Sequence, residues 1–187
     1  MEVIRTPRLL LIPATIGSLY AELESHDALA RVLGADVPAS WPPELYDDDA
    51  IRWTLNQVQS HPEDDGWILY YIAEIPASPG DRPRLAGTGG YKGAPDAAGI
   101  VEIGYGVIPE RRRLGIAREA TEGLLERAFA DSRVTTVIAH TLRELAPSIA
   151  VLRSAGFIYV GAGSDLSEPD AIRYELTRSE YERTRGA

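Results

Sequence analysis

Three strand-like segments follow one another closely: Trp67 to Ile75, rich in β-branched and aromatic residues, then Arg84 to Tyr91 and Ile100 to Ile108. Only short turns separate them, among them Ser78-Pro79-Gly80-Asp81. Parallel neighbours need a crossover of a dozen residues or more, so strands joined this tightly read as an antiparallel meander. Pro109 stops the third strand and the pattern changes at once. Ile116, Ala120, Leu124 and Ala128 recur every four residues, flanked by Ala117, Thr121, Leu125 and Phe129. This spacing predicts an amphipathic helix over about 115–130. The chain is thus mixed α/β.

The flanking segments extend that reading. Leu9 to Ile12 is a short buried strand closed by Pro13, and Ile16 to Leu23 and Asp27 to Leu33 are short helices, the second ended by Gly34. Ala35 to Pro43 is turn-rich, with prolines around Trp41, and Glu44 to Ser60 resumes helical spacing. Beyond the central helix, Val134 to Ala139 is a strand. Pro147 suits the first turn of a helix that runs through Leu152 to a Gly156 cap. Phe157 to Val160 and Ile172 to Leu176 close the sheet, and Thr177-Arg178-Ser179-Glu180 is a capping box for a tail helix. About seven strands result, with no repeat, low-complexity tract or linker. At 187 residues the expectation is one domain: 1–65 the first strand and acceptor-side helices, 66–108 the meander, 109–160 the helical core, 161–187 the closing strand and tail.

Composition narrows the function. Without cysteine, thiolate metal sites and a cysteine nucleophile are excluded. A net charge of −9 argues against nucleic acid as a partner, since phosphate backbones require a basic face. Lys92 is the sole lysine among 19 basic residues, which reads as arginine-rich codon usage. No apolar run suits a membrane span or a secretory leader. A soluble, cytoplasmic protein is the expectation. His26, His61 and His140 show no metal-binding spacing, so no metal is expected.

The informative stretch is Val107-Ile108-Pro109-Glu110-Arg111-Arg112-Arg113-Leu114-Gly115-Ile116-Ala117. A strand ends, a loop carries three arginines, and a glycine opens a helix. The first backbone N–H groups of a helix lack internal partners and point outward with the positive end of the dipole. Gly115 and Ala117 keep the approach low, and Arg112 and Arg113 add charge, so the stretch reads as an anion site. A plain strand-to-helix turn with a solvated arginine run is the structural alternative. Gly87-Thr88-Gly89-Gly90 lies inside the hairpin and marks a bulge rather than a phosphate cradle.

Arg112-x-x-Gly115-x-Ala117 resembles the acyl-CoA signature of the GNAT superfamily of N-acetyltransferases. Around it, Thr6-Pro7-Arg8-Leu9-Leu10-Leu11, Glu102-Ile103-Gly104-Tyr105 and Ser148 to Phe157 are similar to segments of its ribosomal-protein-alanine acetyltransferase branch. The resemblance spans nearly the whole chain. It implies a central twisted sheet splayed between its fourth and fifth strands, with acetyl-CoA as co-substrate in the opening. The amides of Arg113, Leu114, Gly115, Ile116, Ala117 and Arg118 would take the pyrophosphate, beside Arg112. The strand edge at Val107 and Ile108 would pair with the pantetheine. The implied reaction moves an acetyl group directly onto a primary amine, either a protein N-terminus or a small molecule.

Glu102 is then the candidate base, acting through water, with Gly104 and Gly106 leaving open space on the same face. Ser148 is the candidate donor to the leaving thiolate; the asparagine that the resemblance leads one to expect three residues earlier is Leu145. His140, at the end of its strand, and Trp41 and Trp53, beside Asp47, Asp48 and Asp49, are candidates for the acceptor side. Aromatic rings next to carboxylates suit a cationic amine. The loop from Gly161 to Asp170 and the pair Asp64 and Asp65 are expected nearby. The alternative to an enzyme is a non-catalytic acyl-CoA sensor or partner-binding domain on the same fold, as monomer or homodimer.

Overall fold

The computed structural model describes residues 2–64, 66–163 and 170–185. Its strands are β1 (Ile4–Arg5), β2 (Leu9–Pro13), β3 (Leu69–Glu74), β4 (Arg84–Tyr91), β5 (Ile100–Val107), β6 (Thr136–Leu142), β7 (Ile158–Ala162) and β8 (Ala171–Thr177). The helices are α1 (Ile16–Glu24), α2 (His26–Leu33), α3 (Asp48–Ser60), α4 (Ile116–Ala130), α5 (Ala146–Ser154) and α6 (Arg178–Arg185). One sheet runs in the order β1-β2-β3-β4-β5-β6-β8-β7. The meander over β3, β4 and β5 is present as expected, and the eighth strand is the two-residue β1. Helix α3 starts at Asp48 rather than Glu44 because Asp47 caps it, accepting the Ala50 N–H at 3.0 Å. The tail capping box forms: the Thr177 N–H donates to Glu180 at 2.9 Å and the Glu180 N–H to the Thr177 hydroxyl at 3.3 Å.

Period-2 alternation divides the interior into two cores. Leu9, Leu11, Tyr70, Ile72 and Ile103 face α4 and α5, meeting Leu124, Leu125 and Leu152. Tyr71 and Ala73 face the other way and meet Leu19, Leu29, Trp41 and Ile51. The glycines of β4 serve close packing: a Cβ on Gly87 would collide with the Gly106 carbonyl across the pair. The register slips between Ile72 and Ala73, which places the expected bulge in this hairpin.

One pairing decides where a site can lie. All strand pairs are antiparallel except β5 with β6, and that pair holds only at Ile100–Thr136, Val101–Val137 and Glu102–Ile138. Beyond Glu102 the two strands part, while β5 keeps its bonds to β4 as far as Val107. The opening faces the N-termini of α4 and α5. No helix among the described residues is long and apolar enough to cross a membrane.

Candidate functional site

A cavity of about 810 Å3 fills the opening between β5 and β6. Val107, Arg112, Arg113, Gly115, Ile116, Ala117, Arg118, His140 and Ser148 all line it. Its floor is the start of α4. Left-handed φ values of 62° at Arg113 and 80° at Gly115 bend the backbone there, a geometry that forms anion-binding concavities. The N–H groups from Arg113 to Arg118 meet no acceptor among the described residues; the first intrahelical bond is Glu119 N–H to the Gly115 carbonyl at 3.0 Å. Six consecutive amides are thus open at the positive end of a 15-residue helix, an arrangement whose chemistry suits an anion.

Two residues that the sequence did not single out hold this floor. Glu119 accepts the Thr6 hydroxyl at 2.6 Å, the Arg8 backbone N–H at 2.7 Å and the Arg8 Nε at 2.6 Å. Partial burial raises its pKa, but the bonds from Thr6 and Arg8 outweigh that and hold the carboxyl below its ordinary range. Arg8 also donates to the Leu114 carbonyl at 3.1 Å. Leu114 itself points outward, half exposed, away from the cavity wall.

Arg112 folds across the mouth. Its Nε donates to the Val107 carbonyl at 3.0 Å, and its Nη2 lies 3.0 Å from Glu44 Oε2. Ile108, expected at the cofactor edge, is instead fully buried; its N–H donates to the Ala86 carbonyl at 3.0 Å, and it lines neither cavity.

A second cavity of about 310 Å3 lies on the opposite face, between α3 and the meander. Trp53, Gln57, His61, Asp64, Trp67 and Tyr91 line it. It meets the first cavity at Gly104, Tyr105 and Gly106, with Lys92, Glu44 and Leu45 shared at the edge. The expected space beside Gly104 is real: a Cβ there would touch nothing within 4 Å. The space beside Gly106 is filled, because Pro43 stands 3.2 Å from the position of a Cβ. Trp41 also departs from expectation. It is buried in the second core, where its indole N–H donates to Glu22 at 2.7 Å, and it touches neither cavity. A buried tryptophan needs a partner for that N–H, and Glu22 supplies it. Asp65 and residues 164–169 of the expected acceptor loop lie outside the described residues.

Glu102, the expected base, lines neither cavity; it is mostly buried behind Lys92 and His140, between these two basic groups. Lys92 Nζ is 2.6 Å and His140 Nδ1 3.0 Å from its Oε1. His140 lies inside β6 rather than at its end, with its side chain 10% exposed. On the helical side, the Tyr105 phenol lies 3.3 Å from the Ser148 carbonyl and 3.4 Å from its hydroxyl. Burial pushes that phenol up to about 12, so it stays protonated and able to donate. Leu145 occupies the N-cap of α5 without a side-chain bond and lines the cavity. Among the described residues no group of three or more metal-binding side chains occurs.

Comparison with known proteins gives one consistent result. The family described as "Acetyltransferase (GNAT) domain" matches residues 8–158. The uncharacterized N-acetyltransferase YjdG of Bacillus subtilis is 26% identical over 158 residues, covering 84% of this chain and 90% of its own. The fold is shared with RimL, a ribosomal L7/L12 α-N-protein acetyltransferase solved with coenzyme A, at a TM-score of 0.67 and 15% identity over 94% of this chain and 98% of that one. It is shared too with the spermidine/spermine N-acetyltransferase SpeG of Vibrio cholerae, at a TM-score of 0.65 and 15% identity over 96% and 99%.

Proposed function

The chain belongs to the GNAT acetyltransferase family, and from that premise we propose that it transfers the acetyl group of acetyl-CoA directly to a primary amine, of a protein N-terminus or a small molecule. The observation that carries this reading is the meeting of two cavities at Gly104, one floored by six open amides and the other walled by aromatics and Asp64. Two substrates, one in each cavity, can meet along this shared wall.

The residues divide the work. The amides from Arg113 to Arg118, with Arg112 and Arg113 at the mouth, bind the pyrophosphate. The unpaired side of β5 beyond Glu102 offers backbone groups to the pantetheine, and a β5 N–H there can stabilise the oxyanion as the amine nitrogen bonds to the carbonyl carbon. The C–S bond then breaks, and the leaving thiolate accepts a hydrogen bond from the Ser148 hydroxyl, beside the Tyr105 phenol, before it takes a proton from solvent. The amine's proton is drawn toward the negative charge of Glu102. Trp53 and Asp64 suit a cationic acceptor.

The test is thiol release from acetyl-CoA with a panel of amines: a peptide with a free α-amine, spermidine and an aminoglycoside. Amine-dependent release supports the reading. Binding of acetyl-CoA without release across the panel supports the non-catalytic sensor, which the apolar Leu145 at the start of α5 favours.

A further inference from the structure

We propose that His140, oriented by Glu102, is the group that takes the proton from the acceptor amine, and that Glu102 is a positioning residue rather than the base. This rests on the acetyltransferase reading and goes beyond it by assigning the proton to one atom, Nε2 of His140.

The argument begins in the strand register. Pairing of β5 with β6 ends at Glu102–Ile138, and His140 is the next β6 residue on the same face as Ile138. Its ring therefore leans over Glu102 where the strands part. Nδ1 lies 3.0 Å from Glu102 Oε1, within hydrogen-bond distance though not aligned for one. The same oxygen lies 2.6 Å from Lys92 Nζ. Glu102 lines neither cavity whereas His140 lines the large one, so a substrate there meets the ring and not the carboxylate. Among the described residues neither ring nitrogen makes a fully aligned hydrogen bond, but Nδ1 has the Glu102 carboxylate beside it, and the ring forms part of the wall of the large cavity. A buried lone pair without a donor is costly unless a substrate supplies one. An acceptor ammonium at the junction is such a donor.

The charges around the ring suit a base. With the proton on Nδ1 beside Glu102, the neutral tautomer keeps Nε2 free, and the imidazolium formed on proton uptake is stabilised by the carboxylate. Lys92, just beyond the end of β4, contacts the same carboxylate oxygen. On the other side Arg173 of β8 is the direct cross-strand partner of His140, and its guanidinium lies 2.5 Å from Glu175. Glu102, Lys92, Arg173 and Glu175 are the charged groups set on this face around the histidine. The step balances simply: the ammonium N–H bond breaks, Nε2–H forms, the freed pair on nitrogen bonds to the thioester carbon, and the proton later leaves His140 to solvent.

Two measurements decide the assignment. The first needs no turnover: long-range nitrogen–proton NMR of the three histidine rings, with His140 identified by its loss in His140→Gln. The expected result is the Nδ1–H tautomer, lost in Glu102→Gln; an Nε2–H tautomer overturns the proposal. The second uses any amine that releases thiol. Removing a general base lowers turnover about a hundredfold or more. His140→Gln should lose that much in kcat and the rising limb of the pH profile, with acetyl-CoA affinity within about twofold of wild type. Glu102→Gln should keep the limb but move it to lower pH. The reverse pattern, with His140→Gln active and Glu102→Gln dead, returns the base to Glu102. If acetyl-CoA binds but no amine reacts, the acetyl-transfer reading fails while the tautomer still tests the dyad.

Discussion

The guanidinium of Arg8 meets the carboxylate of Glu119 at 2.6 Å, and through this contact the residue just before β2 grips the first turn of α4, whose amides are open. Arg8 also holds the Leu114 carbonyl, so both ends of the glycine turn are fixed from one side chain. The pair is a brace for the phosphate site. Arg8→Ala should cost about 1 kcal/mol, in keeping with an exposed ion pair, and roughly fivefold in acetyl-CoA affinity if that energy goes into ordering the loop. Calorimetric titration checks this, and unchanged affinity would remove the brace from the account. Because the Glu119 pKa is lowered on folding, its contribution is present above the ordinary carboxylate range and is lost as pH falls through the lowered value.

Gly115 sits at φ 80°, and a Cβ there would stand 3.2 Å from Arg8 Nη2. Gly115→Val should carry about 2 kcal/mol of backbone strain and crowd the space above the amides. Acetyl-CoA affinity is expected to fall by more than tenfold while the far-ultraviolet circular dichroism stays that of the wild type. A variant that binds as tightly as wild type would place the anion elsewhere.

Glu22 is a buried carboxylate that accepts from Trp41 at 2.7 Å, Tyr71 at 2.7 Å and Tyr46 at 3.2 Å. Burial raises its pKa, the three donors oppose that, and Asp48 pushes it up again, leaving it above the ordinary range. A raised carboxyl binds its proton more tightly when folded. Its contribution to stability is therefore full below the ordinary carboxylate pKa and is lost as pH rises through the raised value. Denaturant unfolding from pH 4 to 7 should show less of this downward slope in Glu22→Gln than in wild type. Identical slopes in the two proteins would contradict the assignment.

Arg178 ties the end of α4 to the sheet. Its guanidinium donates to the carbonyls of Phe129 at 2.7 Å, Asp131 at 2.6 Å and Val134 at 2.8 Å. Carbonyls at a helix C-terminus have no internal donor, and a cation there also meets the negative end of the dipole. Arg178→Met should cost about 2–3 kcal/mol, since it strands charged hydrogen bonds. Thermal unfolding measures it. A loss under about 0.5 kcal/mol, as for an ordinary surface change, would show that water replaces the clamp.

Local chemistry made most of the fold readable. The period of four in Ile116, Ala120, Leu124 and Ala128, the turn at Ser78 to Asp81, and the Thr177 capping box each act within a few residues, and each element stands where its pattern put it. The two-residue β1 carries no period to detect. The glycine turn at Gly115 was legible because a left-handed φ and a helix start leave their mark in composition. The Lys92–Glu102–His140 cluster was not, because it depends on a parallel register that brings residues 102 and 138 together across an intervening helix. Trp41 shows the same limit: its aromatic character suggested a cleft, but its partner is Glu22, one helix away in space and 19 residues away in sequence.

The most direct test of the phosphate cradle and the splayed strands is calorimetric titration with acetyl-CoA, repeated with adenosine 3′,5′-bisphosphate. The account predicts one acetyl-CoA per chain, bound through the whole molecule and much more tightly than the nucleotide alone. No binding of either would contradict it, because six open amides beside an open strand would then hold nothing.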